Sequence, residues 1–331
     1  MQVRNIFKFK SIIAIAFIAT ITYSCKEAKK KDAENTAVEA VANESAEPFF
    51  KLSLAQWSIH NMINDKKVDP YTFAEKAKEW GFTGLEYVSQ LYPADLENNE
   101  YSPEAMAAFV EKSNAEAKKH GMQNVLIMID RQGDLAVSDE AERKAAVERH
   151  YKWVDAAAAM GCHAIRVNLN GESDPARWHA NSVDGLTQLA TYAKEKNIEI
   201  LVENHGGLSS NGAMHAAVMK EVNMDNCGTL PDFGNFCITR KKDSWDCEEM
   251  YDIYKGVTEL MPHAMAVSAK SNVFDAEGNE VNIDYKKMLQ IVKDAGYTGY
   301  IGVEYEGKEL SEEAGIIATR DLLLKAAKEV N

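Results

Sequence analysis

From Phe49 onward, short apolar runs rich in β-branched residues alternate with longer stretches whose apolar positions recur every three or four residues. Strand side chains alternate faces with a period of two, whereas a helix returns to one face every 3.6 residues, so the runs read as strands and the longer stretches as helices. Strands are expected at 52–57, 84–88, 124–129, 164–169, 199–203, 228–232, 264–269 and 300–305. Helices are expected at about 70–80, 103–120, 139–160, 182–196, 212–222, 246–260, 284–295 and 312–330. Pro70 and Pro103 stand where a first helical turn tolerates proline, because the missing N–H has no partner there. Eight strand–helix units over roughly 280 residues predict the α/β class and a single (β/α)8 TIM barrel, which typically needs about 250 residues. An open doubly wound sheet is the other arrangement this alternation permits.

Before Phe49 the pattern breaks. Arg4, Lys8 and Lys10 precede an apolar run, 11–22, too short to span a bilayer as a finished anchor, and together they read as an export signal. Thr22-Tyr23-Ser24-Cys25 then resembles the motif at which bacterial lipoproteins are cleaved and acylated on cysteine. The expected organisation is a lipoprotein signal peptide at 1–24, a charged, Ala-rich tether at 25–48 and the barrel at 49–331, with Cys25 as the lipidation site. Localisation follows as exported, lipid-anchored in the periplasm or at the outer membrane, with the membrane touched only through that lipid.

Across 331 residues, 37 Lys and Arg oppose 51 Asp and Glu, a formal charge of −14, which excludes a polyanion such as nucleic acid as partner. Besides Cys25, Cys162, Cys227, Cys237 and Cys247 show no C-x-x-C pair. They read as buried apolar fillers, with a Cys237–Cys247 bridge left open in an oxidising compartment. No phosphate loop, dinucleotide fingerprint or nucleophile elbow occurs.

Candidate chemistry sits at the strand ends, where barrel active sites are built. Glu203-Asn204-His205, Asp232, Lys270, and Glu304 with Glu306 each follow an apolar run and converge on one mouth. Carboxylates gathered in a partly desolvated cleft take up protons unless a cation compensates them. Glu203, Asp232 and Glu304 therefore form a candidate site for one divalent metal, with His205 as a possible nitrogen ligand. Such hard ligands suit manganese or magnesium best, with zinc, cobalt or iron as alternatives. Trp57, His60, Glu86, Arg166, Asn168, Asn235 and Arg240 are candidates for contact with a small-molecule ligand at the rim. Glu86 and Arg166 also read as a structural ion pair across the mouth.

Residues 202–207 (VENHGG), 230–236 (LPDFGNF), 267–270 (VSAK) and 302–307 (GVEYEG) resemble the sugar phosphate isomerase/epimerase group of xylose isomerase-like TIM barrels, which also includes endonuclease IV-type enzymes. The likeness covers nearly all of 50–330. In that group the ends of strands five to eight supply Glu, Asp, His and Glu to one divalent metal, which implies Glu203, Asp232 and Glu304 as ligands here. The histidine is missing, because Ser268-Ala269-Lys270 stands where many relatives read His-x-Lys, and Asn235 replaces a further histidine that some epimerases carry. His205 or water would complete the set.

The resemblance implies proton abstraction next to a sugar carbonyl, with Glu203 and Glu304 as base and acid and Lys270 holding a substrate oxygen. Export argues for an unphosphorylated sugar or sugar derivative, since sugar phosphates are intracellular. Elimination from a 3-keto-glycoside would need no new residue types. A non-catalytic sugar-binding lipoprotein is the reading from another class. An endonuclease IV-like enzyme needs several zinc ions and more histidines than the eight present.

Overall fold

The computed structural model describes residues 47–330, so the expected signal peptide, Cys25 and almost all of the tether lie outside the described residues. Eight parallel strands alternate with helices. They are β1 (Lys51–Ala55), β2 (Gly84–Val88), β3 (Gln123–Met128), β4 (Ala164–Val167), β5 (Glu199–Glu203), β6 (Cys227–Leu230), β9 (Val267–Ser271) and β10 (Tyr300–Tyr305). β7 (Cys237–Arg240) and β8 (Cys247–Met250) form a separate hairpin. The hydrogen-bonded order is β6-β5-β4-β3-β2-β1-β10-β9.

The remaining seam, between β6 and β9, closes through the single bridges Thr229–Ala264 and Asp232–Ser268. Proline has no N–H, so Pro231 cannot donate there; its carbonyl still accepts from Ser268 N at 3.0 Å, and Phe233 N donates to Ser268 O at 3.0 Å. The result is a nearly closed eight-stranded barrel. Its strands are buried on both faces, which is why they read as unbroken apolar runs rather than alternating ones.

The surrounding helices are α1 (His60–Asn64), α2 (Phe73–Glu79), α3 (Pro103–His120), α4 (Glu140–Met160), α5 (Pro175–Lys194), α6 (Gly212–Val222), α7 (Ile253–Leu260), α8 (Tyr285–Asp294) and α9 (Glu312–Ala327). Ser102, Asp139, Asp174, Asn211, Asp252, Asp284 and Ser311 cap seven of them by accepting a first-turn amide. Asp174 followed by Pro175 explains why α5 begins seven residues before the expected start at 182: cap and proline together make a helix entry. Among the described residues no helix is long and apolar enough to cross a membrane.

One expected element is wrong. Residues 247–250 do not open a helix; they form β8 (Cys247–Met250), antiparallel to β7 (Cys237–Arg240), and α7 starts only after Asp252. The cause is covalent. Cys237 and Cys247 are joined by a disulfide, which holds the two segments side by side against the helical spacing of 246–260. Only Cys162 and Cys227 keep the expected role of buried free thiols.

A candidate metal centre and active site at the barrel mouth

Because all eight strands are parallel, their C-terminal ends share one rim. Glu203 ends β5, Asp232 follows β6, Lys270 lies near the end of β9, and Glu304 near the end of β10. One carboxylate oxygen from each of Glu203, Asp232 and Glu304 lies within 4.8 Å of the other two, and all three residues are buried.

Their positions are set by hydrogen bonds that replace the strand ladder where it runs out. Asn204 clasps the backbone of Asp232, accepting from its N–H at 2.8 Å and donating to its carbonyl at 3.0 Å. Asp232 Oδ1 accepts the Gly234 and Asn235 amides, both at 2.8 Å, and Oδ2 accepts from Ser268 Oγ at 2.7 Å. Ser268 thus holds a carboxylate where the resemblance led one to expect a histidine. Glu203 Oε1 accepts from Asn235 Nδ2 at 2.9 Å, and its Oε2 lies 2.8 Å from Arg166 Nε, a charge contact without hydrogen-bond alignment. Lys270 Nζ lies 3.1 Å from Glu304, 3.2 Å from Glu306 and 3.9 Å from Asp232.

The electrostatics follow from burial. Loss of water pushes the Asp232 and Glu304 carboxyls above their ordinary range, and neighbouring carboxylates add to this while Lys270 opposes it. Burial would also raise Asp130 and Glu306, but Arg166 holds the first, and Lys270 with the Trp57 indole the second, below the usual carboxylate range. Five carboxyl groups therefore face two fixed cations, Arg166 and Lys270. That excess of clustered oxygen donors fits a divalent cation. For His205 the Glu203 carboxylate favours the charged form, but desolvation and the cations Arg166 and Lys270 outweigh it and hold the imidazole below its ordinary range. Its ring does not join the three-carboxylate set, although it lines the same cavity as Glu304 and Lys270.

Above the carboxylates opens a cavity of about 360 Å³, which Arg166, Asn235, Arg240, Lys270 and Trp57 all line. His60 does not reach it. Its ring stacks on Trp57 at 4.3 Å between centroids, and Nδ1 sits 2.6 Å from the Trp57 carbonyl and 3.5 Å from Glu312. Asn168 also stays outside, donating to Asp130 at 2.9 Å. Glu86 points into the barrel interior rather than to the rim. It accepts from Ser53 Oγ at 2.5 Å, its other oxygen has no hydrogen-bond partner, and burial raises its carboxyl to about 7. Space for it exists only because Gly302 has no side chain: a Cβ there would come within 2.4 Å of the Glu86 carboxylate. The expected Glu86–Arg166 pair does not form, since Arg166 turns to Asp130 at 3.1 Å and to Glu203.

Asp130, Gln90 and Trp245 line the cavity without having been singled out in the sequence. Asp130 was findable, because it follows the apolar run 125–129 just as the other strand-end acids follow theirs. Clefts of about 470 and 500 Å³ also exist, the first among α8, α9 and the 279–284 connection and the second between α3 and α4, and none of the strand-end acids lines either.

A family profile described as xylose isomerase-like TIM barrel matches residues 74–326. Three of the solved structures that share the fold illustrate the likeness. A sugar phosphate isomerase/epimerase from Parabacteroides distasonis ATCC 8503 is 14% identical, with 87% of this chain and 97% of that one covered at a TM-score of 0.61. A xylose isomerase-like TIM barrel protein from Mycobacterium smegmatis, in complex with magnesium, is 16% identical, with 85% and 97% covered at 0.59. The 3-keto-D-glucoside 4-epimerase of E. coli is 14% identical, with 77% and 94% covered at 0.58. No curated protein sequence matches the chain. With the profile spanning most of the barrel, the chain belongs to the xylose isomerase-like TIM barrel family.

Proposed function

We propose that the protein is a divalent-metal-dependent sugar isomerase or epimerase that removes a proton next to a carbonyl of an unphosphorylated sugar or sugar derivative. The observation that carries this reading is the buried Glu203, Asp232 and Glu304 set, with Lys270 against it, next to a cavity that Glu304 and Lys270 line. A divalent cation held by these three carboxylates would polarise the carbonyl and hydroxyl oxygens of the substrate. β5 and β10 flank the β6–β9 seam, so Glu203 and Glu304 approach from either side of Asp232. One of them takes the proton from carbon and the other returns it, which lets the configuration or the carbonyl position change. Lys270 Nζ donates to the oxygen that gains negative charge, and Trp57 offers its indole to the C–H face of the ring. Arg166 and Lys270 are already engaged by carboxylates, so neither is left free to pair with a phosphate dianion.

A second reading, elimination from a 3-keto-glycoside, is favoured by the cavity's extension to Arg240 and Trp245, away from the floor. There the same base breaks the C–H bond beside the carbonyl, the electron pair forms a C=C bond, and the glycosidic C–O bond breaks. The departing alkoxide takes the proton.

Protein loaded with manganese or magnesium is expected to move solvent deuterium into the position next to the carbonyl of ketohexoses or a 3-keto methyl glucoside, read by mass spectrometry. Methanol release from the latter distinguishes elimination. No exchange and no release with manganese, magnesium, zinc, cobalt or iron would overturn both readings and leave sugar binding without turnover.

Export and lipid anchoring through Cys25 belong to the same proposal. The charged and apolar leader supports them, and the Cys237–Cys247 disulfide suits an oxidising compartment. The Cys25→Ser chain expressed in a bacterium is expected to leave the membrane fraction. Unchanged membrane association would refute the anchor.

A further inference from the structure

Between β6 and α7 the chain abandons the barrel rhythm and builds the disulfide-closed β7–β8 hairpin. The connection between its strands carries Trp245, whose side chain is 85% exposed. An indole so exposed beside a polar cleft presents a flat apolar face to a ligand that enters the cleft. The surrounding contacts hold the ring in place. Arg240 donates to the Trp245 carbonyl at 2.6 Å, and its guanidinium lies 5.1 Å from the indole centroid. Lys241 N donates to Asp246 O at 2.9 Å, and Ser244 N to Lys241 O at 3.2 Å, which closes the turn on which the ring stands.

Trp245 and Arg240 also line the same cavity as Lys270, Glu304 and Glu306. Trp57, stacked on His60, lines the cavity together with Glu304 and Glu306, so the cavity offers one aromatic surface beside the carboxylates and a second at the hairpin. The hairpin combines an exposed ring with a guanidinium whose remaining N–H groups face no carboxylate among the described residues. Sugar rings pack their C–H faces on such a surface while their hydroxyls accept from such donors.

We propose that the hairpin is a second sugar-ring subsite. The ligand is then a glycoside or disaccharide, with one ring at the carboxylate floor and the ring beyond the glycosidic bond on Trp245 and Arg240. This rests on the proposed function only in placing the first ring at the floor. The Cys237–Cys247 bond is the positioning element, since it fixes the base of the hairpin over the mouth.

The test is binding without turnover, by ligand-observed saturation-transfer NMR on the full chain. The ligands are gluco-, galacto- and manno-configured disaccharides, each against its methyl glycoside. At least one disaccharide is expected to bind about tenfold more tightly than its methyl glycoside, equivalent to one well-placed aromatic contact. Trp245→Ala is expected to abolish that preference and Trp245→Phe to retain most of it. The paired Cys237→Ser and Cys247→Ser chain is expected to weaken disaccharides more than methyl glycosides. Equal binding of the two classes, a preference that Trp245→Ala leaves intact, or no disaccharide binding at all would overturn the proposal. Because no oxidised sugar or proton exchange is involved, catalysis can fail with the preference intact, and the preference can fail with exchange intact.

Discussion

Asp232→Asn is expected to lose the bound divalent metal and the proton exchange together while the chain stays folded. The substitution keeps the shape and one accepting oxygen, so the Gly234 and Asn235 amides at 2.8 Å still find a partner. What it removes is the central negative charge of the set shared with Glu203 and Glu304. Oxygen ligands hold a divalent cation largely through charge, and an amide in place of a carboxylate cannot compete with hydration. Elemental analysis is expected to fall from about one equivalent, the stoichiometry of a single-metal site, to background. Exchange should drop by about 10²–10⁴, the range attributed to a lost proton-transfer or charge-stabilising group. Glu203→Gln should do the same, although Asn235 Nδ2 then loses its carboxylate acceptor. Stability guards the interpretation. Removing Asp232's charge relieves repulsion with two carboxylates and takes one partner from Lys270, and these terms oppose each other, so the metal-free melting temperature should change little. Full metal content in Asp232→Asn would sink the assignment.

Lys270→Met is expected to be the most destabilising substitution at the mouth. The ammonium is buried and lies within 4 Å of Asp232, Glu304 and Glu306, while its stem packs close to Gly234. Methionine retains much of the stem volume and removes the charge. Three carboxyl groups then share a desolvated site with no nearby ammonium. Breaking a buried charged set by deleting one partner costs about 3–5 kcal/mol, or roughly 6–20 °C in the melting temperature. Added manganese should recover part of that loss, because a ligand that binds only the folded state stabilises it. The recovery should exceed the rise manganese produces in the unsubstituted protein. Thermal unfolding with and without manganese measures both quantities. A melting temperature within about 2 °C of the parent, less than 1 kcal/mol for a domain of this size, would show that the ammonium does not compensate the cluster.

How much of this was readable beforehand depends on the range of the interaction involved. Glu203, Asp232, Lys270 and Glu304 were legible because each interrupts an apolar run at its C-terminal end, and a parallel barrel brings all such ends to one rim. No contact had to be known. The β7–β8 hairpin was not legible, because 246–260 carries helical spacing and the opposing signal is a bond between cysteines ten residues apart. The orientations of His60 and Glu86 were equally hidden. Trp57 captures the His60 ring, and the empty space at Gly302 admits the Glu86 carboxylate into the barrel.

By itself, then, the sequence determined the alternation of elements, the barrel and the identity of the strand-end acids, because periodicity and parallel geometry are properties of local chain and repeat. Only the tertiary structure decided the partners. Arg166 chose Asp130 and Glu203 over Glu86, Ser268, at the position where many relatives carry a histidine, donated to Asp232, and Trp245 came to the mouth. Those outcomes depend on a few ångströms of register and on which neighbour fills a space, quantities that no single segment carries.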